Sequence, residues 1–362
     1  MPDQQLYYSD YLQLQKVLTA QQPVSFNEPH EPAHDEMLFI VIHQAYELWF
    51  KQVLFELDYA ISIFGKAHIN DNSEDLNLVR HRLQRVVRIL ELLNQQVNIL
   101  DTMTPLDFLA FRNLLIPSSG FQSMQFRLVE AKLGLAMDKR HQFDYYKRMN
   151  EGGFNTQDYN TITTAEANTN LLQLINHWLE RMPFFDESFW SSYKTVSPQS
   201  VTDHPFWNDY RFIYQSGLTE RESGKVTDFD FVFFEKNETG YTDEQLQLLR
   251  SSFSAKALRS ALFIMLYRDF PVFQTSYQIL DALIEIDLML SNWRHKHLLM
   301  VRRMIGMRVG TGNTSGAGYL EGALSRHHIY RDLSGLSTYL IERRRLPKLP
   351  EELIKHLSFR EY

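Results

Sequence analysis

The stretch Asn292-Trp-Arg-His-Lys-His-Leu-Leu-Met-Val-Arg-Arg-Met-Ile-Gly306 decides how this chain is read. At 100° per residue, Ile286, Leu290, Trp293, His297, Met300 and Met304 share one stripe of a long helix. His295 and Arg302 fall on the opposite side. His297 is therefore expected to point into a core and His295 toward water. Beyond the helix comes a loop of small polar residues, Gly310-Thr-Gly-Asn-Thr-Ser-Gly316. A histidine on a buried helical stripe can hold haem or a metal. Such a loop either closes over a ligand, because small residues allow close approach, or simply ends the helix.

Working outward, helical periodicity dominates. One helix is expected from Asp35 to about Ile63, apolar nearly all round, with Gln44, Glu47, Lys51 and Asp58 in a narrow polar arc. Such a helix belongs inside a bundle. A second runs from about Glu74 to Met103. Thr104-Pro-Leu-Asp107 reads as a capped restart, with Pro105 at the first helical position. That short helix ends near Ile116, and another spans Phe121 to Leu133, closed by Gly134. Residues 137–168 read as a polar excursion. Leu171 to Arg181 is helical. Residues 184–240 look irregular and aromatic, with Phe229, Phe231 and Phe233 alternating like a short strand. Helices resume over Thr242 to Tyr267, Phe273 to Ile305 and within His328 to Arg343. Strands do not alternate with helices, which argues against a Rossmann-type sheet. The expected fold is all-α, a helical bundle in one domain over residues 1–362, with 1–33 as an N-terminal arm.

Composition narrows the function classes. The 362 residues are 44% hydrophobic and 22% charged, ordinary for a globular protein. A net charge of −7 offers no footprint for nucleic acid or an anionic membrane. The absence of cysteine removes disulfides, thiolate metal sites and thiol nucleophiles. No apolar run approaches a membrane span, and Met1-Pro-Asp-Gln-Gln5 lacks the features of a secretory signal. A cytoplasmic protein is expected. The 25 Phe, 18 Tyr and 5 Trp fit a core around a flat ligand, or simply an aromatic-rich core.

His30-Glu-Pro-Ala-His34 matches a zinc-protease pattern, but Pro29 and Pro32 break the helix that chemistry needs. The loop at 310–318 follows a helix and lacks the Gly-Lys-Ser/Thr ending of a phosphate loop. His43 shares a face with Phe39, Tyr46 and Phe50, as a hydrogen-bonded core histidine or as a functional group. Phe108 and Arg112, four apart, form either an aromatic wall with a carboxylate clamp or part of an ordinary surface ion pair.

Several segments together resemble the tryptophan 2,3-dioxygenase family. They are Tyr8-Ser-Asp-Tyr-Leu-Gln-Leu14, His34-Asp-Glu-Met-Leu-Phe39, His43-Gln-Ala-Tyr-Glu-Leu-Trp-Phe-Lys-Gln52, Phe108-x-x-Phe-Arg112, Ser118-Ser-Gly-Phe-Gln-Ser123, Gln125-Phe-Arg127, Trp293-Arg-x-x-His297 and Gly310-Thr-Gly312. Each is weak alone, but they occur in the family's order.

The resemblance implies an all-α homotetramer enclosing haem b, with ferrous iron in the active state. It implies an enzyme that opens the indole ring of L-tryptophan with O₂ to give N-formyl-L-kynurenine. His297 matches the proximal iron ligand and His43 the distal, catalytic histidine. Arg112 matches the partner of the substrate carboxylate, Phe39 and Phe108 the pocket walls, and Ser119 and Thr311 hydroxyls near haem and substrate ammonium. Arg127 and Trp293 match residues around the haem. Tyr8, Tyr11 and Leu12 match an arm that enters a neighbouring subunit's pocket. Asn313 stands where the family loop usually has glycine, a position Asn can fill because it tolerates positive φ. Ala317 and Gly318 replace larger residues found in some relatives. The alternative is a haem monooxygenase of the same fold acting on another indole.

Overall fold

Two short turns, α1 (Tyr8–Tyr11) and α2 (Leu14–Leu18), lead into the first long helix, α3 (Asp35–Phe64). The computed structural model describes residues 6–70, 73–135, 153–235, 240–306, 308 and 316–357. Its helices continue as α4 (Glu74–Leu100), α5 (Pro105–Arg112), α6 (Met124–Leu133), α7 (Thr156–Ala167) and α8 (Leu171–Glu180). Then come α9 (Pro205–Gly217), α10 (Lys225–Phe234), α11 (Asp243–Leu249), α12 (Ala255–Leu266) and α13 (Pro271–Ile305). The shorter α14 (Gly316–Arg326), α15 (Arg331–Gly335) and α16 (Glu351–His356) close the chain. There is no strand among the described residues.

The frame is α13 packed along α4, α4 along α3, and α3 against α6. Its stripes are those expected: Ile286, Leu290 and Met304 of α13 are buried, whereas His295 and Arg302 are exposed. From α4, Leu76, Val79, Leu83, Val86, Leu90 and Leu93 enter the same core. Fully burying side chains of this size stabilises by roughly 1.5–3 kcal/mol each before entropy is counted.

Helix α3 departs from expectation on one side. Phe50, Val53, Leu57 and Ala60 are buried, but Val41, Leu48 and Phe55 lie 45%, 58% and 71% exposed. These residues, seven apart, form an apolar stripe on the outside of the single chain.

Other departures have local causes. Phe229 and Phe233 are not strand residues; they lie four apart on α10, both fully buried, with rings 4.7 Å apart. The expected excursion at 137–168 contains α7, capped where Asn155 Oδ1 accepts from Asp158 N at 2.9 Å. It is anchored by Ile162 and Phe154. The expected helix from 242 to 267 is two helices. Asp332 accepts from Ser251 Oγ and Ser252 N between them, and Ser254 caps α12. Helix α6 begins at Met124 because Ser123 is its cap. The region 328–343 holds α15, a 3-10 turn at Leu336–Tyr339 and the start of another at Arg343–Arg345.

Gly134 ends α6 at φ 111°, donating to Ala131 O and Glu130 O. A Cβ there would sit 2.6 Å from Leu172 Cβ and 2.9 Å from Asn170 Oδ1. Glycine therefore lets α8 start hard against the end of α6.

Candidate active site

A deep cavity opens between α3, α5, α6, α13 and α14, with about 1260 Å³ of empty space counting its mouth. Its lining is mostly apolar, and three histidines reach it: His43 of α3, His297 of α13 and His327 just after α14.

On α3, the His43 ring lies 4.0 Å from that of Phe39, one turn earlier. His43 Nδ1 is 2.7 Å from Phe39 O. A carbonyl only accepts, so Nδ1 carries the proton and donates. In the neutral ring this leaves Nε2 as a bare acceptor. Burial lowers the pKa of His43, partly offset by that hydrogen bond and by the charge of Glu47. Neutral imidazole is thus the favoured form.

Helix α5 is placed by the expected capping box: Asp107 N donates to Thr104 Oγ1, and Thr104 N donates to Asp107 Oδ2 at 2.9 Å. The cap fixes the helix that brings Phe108 and Arg112 to the cavity. Phe108 stacks on Phe39 at 5.8 Å, making an aromatic wall. Ser119 lines the cavity from the turn before α6.

The His297 ring stacks against Trp293 at 5.1 Å. Its Nδ1 and the indole Nε1 of Trp293 are both buried without a hydrogen-bond partner. Burial, with a smaller push from His43, brings the pKa of His297 down to about 4. This imidazole is neutral at pH 7, the protonation state a metal ligand needs. Among the described residues, no group of three or more metal-ligating side chains could hold an ion. A neutral imidazole with an unpartnered Nδ1, lining an apolar cavity beside stacked aromatic rings, is the kind of side chain that would hold a haem iron. The residues present fit haem.

Arg127 borders the cavity, within a buried network that the sequence alone did not reveal. Arg127 Nη1 and Arg294 Nη2 donate to Glu130 Oε2 and Oε1, each at 2.9 Å. Arg294 Nη1 donates to His327 O, and His327 Nδ1 lies 3.5 Å from Glu130 Oε1. Removing one partner of such a buried pair typically costs about 3–5 kcal/mol. The i,i+3 spacing of Arg127 and Glu130 was a readable signal; nothing local marked His327.

The cavity thus brings together Phe39, His43, Phe108, Arg112, Ser119, Arg127, Trp293 and His297. It does not include Tyr8, Tyr11 or Leu12, which are exposed at the N-terminal turns of the same chain. Thr311 and Asn313 lie outside the described residues. His30 and His34 both precede the start of α3, so the zinc-protease geometry is absent.

An all-α fold whose two long helices each bring a histidine to one apolar cavity with an aromatic wall is the class of protein defined here. Comparison with known proteins makes the class specific. Residues 2–340 match the family model described as tryptophan 2,3-dioxygenase. Curated proteins of that name are similar over nearly the whole chain. One from Bdellovibrio bacteriovorus is 39% identical over 365 residues, covering 98% of both proteins. One from Alteromonas mediterranea is 39% identical over 372 residues, covering 98% of this chain and 97% of its own. One from Dictyostelium discoideum is 40% identical over 363 residues, covering 98% and 88%. The chain belongs to the tryptophan 2,3-dioxygenase family.

Proposed function

We propose that this protein is a haem b-dependent dioxygenase that opens the indole ring of L-tryptophan with O₂, giving N-formyl-L-kynurenine. This is the first step of tryptophan catabolism by the kynurenine pathway. The observation that carries the reading is the fixed tautomer of His43, facing the same cavity as the neutral imidazole of His297.

His297 holds the iron, with Trp293 stacked beside it and Arg127 at the cavity wall. Bound there, haem supplies the redox centre that lets triplet dioxygen react with a closed-shell indole. The chain's own residues bind and orient. Phe39 and Phe108 hold the indole flat. Arg112 pairs with the substrate carboxylate by charge-assisted hydrogen bonds. Ser119 and Thr311 offer hydroxyls toward the haem and the ammonium end. His43 accepts the indole N–H at Nε2 and so sets which edge of the ring faces the oxygen. It orients without having to remove that proton, because the indole ring is already electron-rich.

Residues 1–362 form one domain in this reading, and the active form is a homotetramer. Tyr8, Tyr11 and Leu12 enter a neighbouring subunit's pocket. The exposure of Tyr8 (70%) and Tyr11 (68%), and the bare apolar stripe on α3, support this assembly. No helix among the described residues is long and apolar enough to cross a membrane. A cytoplasmic location belongs to the same reading.

The deciding experiment reduces the haem-loaded protein anaerobically, then adds tryptophan and ¹⁸O₂. The expected product carries two labelled oxygen atoms. A product with one label makes the protein a monooxygenase, and the absence of oxygenated product overturns the reading altogether.

A further inference from the structure

Glu47 sits one helical turn beyond His43 on α3 and does not line the cavity. Its carboxylate nevertheless joins two elements that do. Ser123 Oγ donates to Glu47 Oε1 at 2.5 Å, and Gln125 Nε2 donates to Glu47 Oε2 at 2.8 Å. The same Gln125 amide donates to Glu47 O, also at 2.8 Å. Ser123 is the N-cap of α6, and its Oγ accepts from Phe126 N at 3.2 Å. One hydroxyl thus caps α6 and fastens it to α3.

Just upstream, the 3-10 turn is closed by its own capping box. Ser119 N donates to Gln122 Oε1 at 3.2 Å and Phe121 N donates to Ser119 Oγ at 3.3 Å. This turn presents Ser119, Gly120 and Phe121 to the cavity. It is tied within itself by these hydrogen bonds and is held to α3 through Ser123 and Glu47. A charged acceptor makes the stronger kind of hydrogen bond. One Glu47 carboxylate thereby couples the helix that carries His43 to the turn that carries Ser119.

We propose that Glu47 is a positioning residue: it clamps the turn at 119–123 and the start of α6 onto α3, holding Ser119 and Phe121 in register with His43. The inference rests on reading the cavity as the tryptophan site. Preorganised walls lower the cost of ordering the site when substrate arrives. A part serving the fold alone would alter thermal stability and leave substrate affinity untouched.

The test uses the full-length, haem-loaded protein, with steady-state tryptophan kinetics and haem titration of each variant. Glu47→Ala is expected to raise KM about tenfold, with kcat within about threefold and haem affinity unchanged. Ser123→Ala is expected to raise KM less. The double variant should raise KM by less than the product of the two single effects, because both changes break the Ser123–Glu47 link even though Ser123→Ala also removes the cap of α6. Glu47→Gln is expected to restore KM to within about threefold of the unmodified enzyme, since its amide oxygen accepts from Gln125 while its NH₂ donates to Ser123 Oγ. A normal KM in Glu47→Ala overturns the proposal. So does equal impairment in Glu47→Gln, or KM effects of the two alanine changes that multiply. If Glu47→Ala does not fold, Ser123→Ala and Glu47→Gln make the same comparison: normal KM in the first, or a large rise in the second, overturns the clamp. An unmodified protein that never turns over tryptophan overturns the reading of the cavity and the clamp with it. A working enzyme with the adverse variant results overturns the clamp alone.

Discussion

Two histidines in this molecule share one electrostatic condition and differ in everything else. His204, before α9, and His297, on α13, both have pKa values brought down to about 4, chiefly by burial. His204 has both ring nitrogens buried without hydrogen bonds and is walled edge-on by Phe185 and Trp190, at 5.3 and 4.9 Å. His297 instead borders the cavity that His43 also lines. A depressed pKa thus reports burial, not function. In the packed aromatic core around Phe206, Trp207 and Phe263 it is a cost of close packing. Beside the cavity it keeps a lone pair available. The surrounding space separates the two.

The sharpest way to break this comparison is to remove each imidazole in turn. His297→Ala is expected to weaken haem binding by at least about a hundredfold, read by titration of the Soret band. His204→Phe should leave that titration unchanged. Equal haem affinity in all three proteins would remove His297 from the iron. Next in size, Arg112→Ala should cost about 2–3 kcal/mol in kcat/KM for tryptophan, carried mainly by KM. Unaltered kinetics would place the carboxylate elsewhere.

The packed histidine makes its own prediction. Its folded pKa lies below the ordinary value near 6.5, so between the two the unfolded chain binds the proton and the native state does not. Its contribution is fully present above pH 6.5 and is lost as pH falls toward about 4. Across that window the unmodified protein is expected to lose about 2 kcal/mol more stability than His204→Phe, measured by urea unfolding. Parallel pH profiles would contradict the buried, neutral state of His204. The smallest effect is that of His43→Ala. Turnover of tryptophan should fall about tenfold yet persist, because an orienting acceptor is not a compulsory base. Complete loss of turnover with intact haem and tryptophan binding would make His43 an obligatory proton acceptor.

The sequence was most legible where one periodicity ran long. Helices α3 and α13 and the inward turn of His297 followed from their stripes, and Thr104 with Asp107 announced the cap of α5. It was least legible where short signals carry two meanings. Phe229, Phe231 and Phe233 alternate as a strand would, but 229 and 233 are equally an i,i+4 pair. Helix α7 is built on Thr and Asn, residues that seldom advertise a helix. The outer stripe of α3 escaped notice because hydropathy shows that a side chain is apolar, not what covers it. Motif residues from four helices and one turn line the cavity, whereas Tyr8, Tyr11 and Leu12 do not, and Glu130 and His327 owe their burial to distant elements. Glu47 was visible only as one of four polar positions on its helix.

The turn at Gly134 has a consequence for how this lineage can drift. Any other residue there meets two penalties at once, a strained left-handed backbone and a collision with Leu172 and Asn170. Relieving the collision means sliding α8, and α8 packs on both α3 and α12. A one-letter change at the rim would have to be answered by moving the interior. Position 134 is in effect frozen by geometry, although it touches no ligand.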